Sequence, residues 1–130
     1  MFNLDGIEYI SSGGVSDSDI KKFEKVLNIK FGKYYKIFLK EYGCLAVEHF
    51  EFYGICVTNE SIPSAIYATK KLRTLRTDLD LGLIIFYDDG SGISYGVNSH
   101  DNVWKIDFTK TIDTKESFID FITKKIQELG

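Results

Sequence analysis

Between Leu83 and Asn98 the chain reads LIIFYDDGSGISYGVN, and no other stretch restricts the fold as strongly. A run of β-branched and aromatic residues meets an acidic turn broken by glycine, then resumes with alternating apolar residues. The pattern predicts two antiparallel strands joined by a tight turn that keeps Asp88 and Asp89 side by side at its rim. That turn contains neither a base nor a nucleophile. Its concentrated negative charge suits gripping a cationic partner better than bond-breaking chemistry.

Helical signals precede this hairpin. Ser16 and Asp19 approximate a capping box, Val15 and Ile20 a hydrophobic staple, and Ile20, Phe23, Val26 and Leu27 follow a helical stripe ending near Asn28 to Lys30. Tyr35, Phe38, Leu39 and Tyr42 predict a second helix from Lys33 to Tyr42, stopped by Gly43. Strands are expected at Leu45 to Val47 and Glu51 to Val57, and a third helix from Ser61 toward Leu79 with Pro63 in its first turn. Leu83 to Tyr87, Ile93 to Asn98 and Val103 to Phe108 read as a meander. A last helix, capped near Asp113 or Thr114, turns Phe118, Ile119, Ile122, Ile126 and Leu129 inward. The expected fold class is α+β: a single mostly antiparallel sheet with helices packed on one side, residues 1–130 forming one domain.

The 130 residues carry a net charge of −3, which disfavours general nucleic-acid binding. Cys44 and Cys56 form no CxxC pair and read as reduced thiols. The opening MFNLDGIEYI has no basic region followed by an apolar one, and no run reaches the length of a membrane span, so a cytoplasmic location is expected.

Several motifs invite a catalytic or ligand-binding reading and fail on context. Gly92-Ile93-Ser94-Tyr95-Gly96 matches a nucleophile elbow, but strand alternation continues through it and no helix follows. Gly90, Gly92 and Gly96 miss the dinucleotide fingerprint by one residue, and again a strand follows. His49 and Glu51 lack a third ligand for zinc. Lys70, Lys71, Arg73 and Arg76 read as the solvated face of a helix. Asp88 and Asp89 have two readings of equal standing, turn formation and partner binding, with acid–base catalysis behind both.

Taken in order, four stretches resemble the SUKH superfamily of fungal cell-wall-assembly regulators and bacterial immunity proteins. They are the helix Ser16 to Leu27; Tyr34-Tyr35-Lys36-Ile37-Phe38-Leu39 closing on Tyr42-Gly43; Phe52-Tyr53-Gly54-Ile55; and Ile84-Ile85-Phe86 running into Asp88-Asp89-Gly90-Ser91-Gly92 and Tyr95. The family often has Leu-Pro after the first helix, where Phe31-Gly32 stands here, and Asn-Gly-Gly after the second, where Tyr42-Gly43-Cys44 stands. The resemblance implies a non-catalytic cytoplasmic domain without cofactor or metal that binds and neutralises a cognate protein toxin, nuclease- or deaminase-type. A regulatory scaffold and a small-ligand-binding module are the alternatives. In the toxin-binding reading Asp88, Asp89 and Asp101 supply charge, with Ser91 in the same turn. Tyr53, Tyr87, Tyr95 and Trp104 supply aromatic anchors, several of which the core also has use for.

Overall fold

The computed structural model describes residues 1–55 and 64–129. In chain order its elements are β1 (Tyr9–Ser11), α1 (Asp17–Leu27), α2 (Lys33–Glu41), β2 (Leu45–Val47), β3 (Phe50–Phe52), α3 (Ala65–Leu75), β4 (Ile84–Asp88), β5 (Ser94–Val97), β6 (Asn102–Ile106), β7 (Thr111–Ser117) and α4 (Phe118–Gln127). The class is α+β, but the expected single sheet is two. A three-stranded antiparallel sheet runs β1-β2-β3 and a four-stranded one β4-β5-β6-β7. They abut where Tyr53 N–H donates to Phe86 O at 2.7 Å, just past the end of the short β3.

Helices also cover both sides of the larger sheet, not one. Ile84, Phe86, Val97 and Val103 join the main core with Phe118, Phe121 and Ile122 of α4. Leu83, Ile85 and Ile106 form a smaller cluster with Leu79, against which Ala68 and Leu72 of α3 pack. The physical reason lies in the continuous run Leu83-Ile84-Ile85-Phe86, which has no polar face to leave in water. The outer edge of β4 is closed as well: Ile85 N–H donates to the buried Thr69 Oγ1 at 2.9 Å. Edge amides satisfied in this way offer no template for pairing with another chain.

The cap and end of α1 stand where expected, but Val26, placed on its apolar stripe, is exposed. Ser16 Oγ accepts from Asp19 N–H, Ile20 and Leu27 are buried, and Asn28 ends the helix in the left-handed region at φ 53°. Two expectations for later helices changed. The described part of α3 starts after its cap Ser64 and stops at Leu75; the expected start at Ser61 lies outside the described residues, as does Cys56. The cap expected near Asp113 or Thr114 is at Ser117, whose hydroxyl accepts from Asp120 N–H. Residues 111–117 form β7 instead. Phe118 anchors the core, its ring 5.3 Å from Tyr35, 5.5 Å from Phe38 and 5.2 Å from Phe86, all edge-on. Truncating so well packed a ring costs about 3–5 kcal/mol.

Candidate functional site

The acidic turn is held from within. Gly90 N–H donates to Asp88 Oδ1 at 2.7 Å, and Ser91 N–H and Oγ–H donate to Asp89 Oδ1 at 2.9 and 2.7 Å. Ser94 Oγ–H reaches Asp88 Oδ2 at 3.3 Å. Both aspartates therefore form the turn, and its two glycines take positive φ, 83° at Gly90 and 94° at Gly92. These bonds fix where the carboxylates stand. Burial acts to raise the Asp89 pKa, but the Ser91 hydroxyl, the Ser91 and Ile93 amides and the Lys125 charge outweigh it, so Asp89 titrates below the ordinary aspartate value.

The two neighbours point to different environments, as alternation along a strand requires. Asp88 is half-buried on the α3 side, beside Ser94 and Tyr53. Tyr53 is itself buried, and its hydroxyl pKa is pushed up to about 12, first by desolvation and then by the charges of Asp88 and Glu51. Asp89 is exposed on the α4 side, where its charge is felt by Tyr87 and Tyr95. There the Tyr95 ring packs 4.8 Å from Phe121, and Lys125 Nζ lies 5.6 to 5.8 Å from the Phe50, Tyr87 and Phe121 rings. The expected site residues thus separate into Asp88 with Tyr53, and Asp89 with Ser91 and Tyr95.

Asp101 leaves the set. It is buried, and its carboxylate is occupied: Tyr34 N–H donates to Oδ2 and Tyr35 N–H to Oδ1, each at 3.0 Å. It caps the start of α2, where Gly32 provides no side-chain cap. A carboxylate engaged this way cannot contribute to an exposed rim. Trp104 is half-buried against the smaller core cluster, opposite Gly96 on β5.

A feature absent from the expected set lies next to Asp88. Between α3 and the larger sheet a cleft of about 500 Å³ opens, floored by Ile85, Ile106 and Leu72 and edged by Tyr53, Asp88 and Phe108. Phe108 is 80% exposed, yet its ring is seated on the turn: a Cβ at Gly92 would lie 2.9 Å from its Cζ. An exposed aromatic ring at the edge of an apolar cleft is the kind of side chain that anchors interfaces. Its sequence signal was slight, a Phe in the turn Asp107-Phe108-Thr109-Lys110 at a strand end. Two residues of the basic run, Arg73 in α3 and Arg76 just past its end, serve the fold here. Arg73 donates to Leu27 O and Leu81 O, while Arg76 binds Asp107 O and pairs with Asp78 at 2.9 Å. Lys70 and Lys71 remain in solvent.

Among the described residues, the motifs singled out in the sequence stand in other settings than their chemistry would need. Ser94 is buried in strand β5 with its hydroxyl on Asp88, not on a strand-to-helix elbow. His49 is exposed in the β2–β3 turn with its ring 4.1 Å from Phe50, and no group of three or more metal-ligating side chains occurs among the described residues. No helix among the described residues is long and apolar enough to cross a membrane.

No curated protein matches the chain. A family model does: SUKH_5, described as SMI1-KNR4 cell-wall, aligns with residues 6–127, from just before β1 to the last residue of α4. With both sheets, all four helices and the stretch from Tyr53 to Gly92 inside that span, the chain belongs to the SUKH (SMI1-KNR4) family.

Proposed function

We propose that this chain is an immunity protein, acting in the cytoplasm, that binds a cognate nuclease- or deaminase-type toxin and neutralises it by occlusion, without turnover. The observation that carries the reading is a turn that presets two carboxylates, Asp88 at the edge of an apolar cleft and the exposed Asp89 on the α4 side. Asp88 and Asp89 are fixed by bonds within their own turn, and Phe108 rests on that same turn beside the cleft. Toxins acting on nucleic acid present basic surfaces to their substrates, and a rigid acidic rim steers association with such surfaces. Phe108 supplies an exposed apolar anchor at the edge of the cleft. Membership of a family that includes immunity proteins supports the same reading.

The test is growth rescue. A candidate toxin recovered with the chain is expressed alone, with the wild-type chain, and with a D88K/D89K variant. Growth is expected to fail alone, return with the wild type, and fail again with the variant. A partner that is harmless alone would favour a regulatory scaffold instead. The apolar floor of the cleft favours small-ligand binding as a second reading, and a melting-temperature increase with a small apolar compound would mark it.

A further inference from the structure

The smaller sheet has an outward face that no element of the described structure covers. Register places Ile10 opposite Ala46 and Ala46 opposite Glu51, so these three form a row across β1, β2 and β3. Their neighbours Leu45, Val47, Phe50 and Phe52 are buried in the core, which turns the row outward. Ile10 is 76% exposed. A shallow depression of about 610 Å³ opens over it, lined by Ile7, Tyr9, Ile10, Ala46, Glu8 and Glu48. Both charged lining residues are carboxylates, Glu51 adds a third at the end of the row, and no lysine or arginine is among the lining residues.

The backbone at this edge is open too. Ser12 N–H donates to Cys44 O at 3.3 Å, and Ser12 stands two residues along from Ile10 in the same register. In an antiparallel ladder that spacing makes Ile10 and Ala46 a hydrogen-bonded pair and turns the backbone groups of Tyr9 and Ser11 to the far side. β1 has β2 as its neighbour and ends the sheet order. The other sheet closes its β4 edge with Thr69 and Tyr53; β1 has no such closure among the described residues. Glu48 sits at φ 53° in the two-residue turn from Val47 to Phe50, a conformation usually given to asparagine or glycine.

We propose that β1 and this outward face form a docking surface for a basic, extended segment of a partner protein. The segment adds to β1 as a further strand, sets apolar side chains on Ile7 and Ile10, and places lysine or arginine against Glu8 and Glu48. A second copy of this chain fits poorly, since two such edges would bring the same carboxylates together in a protein of net charge −3. The surface is distinct from the Asp88 turn and its cleft, and the inference does not depend on the toxin reading.

The test uses a capped peptide of alternating lysine and valine, about eight residues long, and the full chain. Binding is followed by fluorescence anisotropy and by amide exchange in NMR spectra. The peptide is expected to bind more weakly as salt rises and to slow exchange at Tyr9 and Ser11. A glutamate–valine peptide of the same length should not bind. The E8Q/E48Q variant, which keeps side-chain shape, should bind roughly tenfold or more weakly. Y9P removes an outward amide without touching the Ile10–Ala46 pair and should abolish the protection at Ser11. Absence of binding, equal binding by the glutamine variant, perturbations confined to the Asp88 turn, or self-association through β1 would each overturn the proposal.

Discussion

Gly32 and Asp101 are in such close contact that a Cβ on Gly32 would lie 2.2 Å from Asp101 Oδ1. The bare glycine lets a carboxylate from the β5–β6 turn reach the first amides of α2. The Asp101 carbonyl in turn accepts from Phe118 N–H at 2.8 Å, so one residue ties α2, the larger sheet and α4 together. Asp101→Ala leaves two amides at a helix start without their acceptor and is expected to cost about 2 kcal/mol. The melting temperature should fall by roughly 5–10 °C. Gly32→Ala should destabilise to a similar degree by displacing the same carboxylate. Thermal denaturation of both variants checks this.

Tyr53 predicts alkaline sensitivity. Its hydroxyl is raised from 10 to about 12, chiefly by desolvation, with Asp88 and Glu51 adding to the effect. The folded state therefore holds a proton that the unfolded state gives up first. That contribution to stability is fully present below pH 10 and is lost as pH rises from 10 through about 12. Tyr42, Tyr87 and Tyr95 shift in the same direction, desolvation leading in each. Denaturant unfolding measured across this range should show stability falling with pH, and Tyr53→Phe should flatten part of the fall.

Phe108 separates binding from stability. Because it is 80% exposed, Phe108→Ala should change unfolding free energy by about 0.5 kcal/mol or less. Partner binding should weaken by about 2 kcal/mol or more, as for an aromatic anchor at the centre of an interface. Gly92→Ala is expected to affect both, since φ is 94° and the new methyl meets the Phe108 ring. Calorimetric titration with the recovered partner, beside thermal denaturation, distinguishes the two effects.

Local chemistry in the sequence anticipated much of this fold. The Ser16 cap, the helix end near Asn28, the α2 stripe and the DDGSG turn all follow from residues within one or two turns of each other. Strand β7 was hidden because its cap-type residues serve a bulge: Lys115 N–H donates to Asp113 Oδ1 and Glu116 N–H to Thr114 Oγ1, which reads as helix-start chemistry. Three-residue β1, with Ile10 and Tyr9 outside, has too few positions to show a period. The role of Asp101 is non-local, its partner amides lying 66 and 67 residues away, so no window along the chain contains it. The division of Asp88 from Asp89 follows from strand alternation, but which aromatic each meets depends on how α3 and α4 pack.

The most direct test of the central claim is calorimetric titration of the recovered partner with the wild-type chain and with D88N/D89N, at low and at physiological salt. Asparagine keeps the oxygen acceptors that form the turn and removes both charges. The account predicts an unchanged fold, at least tenfold weaker binding at low salt, and a smaller difference as salt rises. Equal affinity for the two chains at both salt concentrations would contradict it.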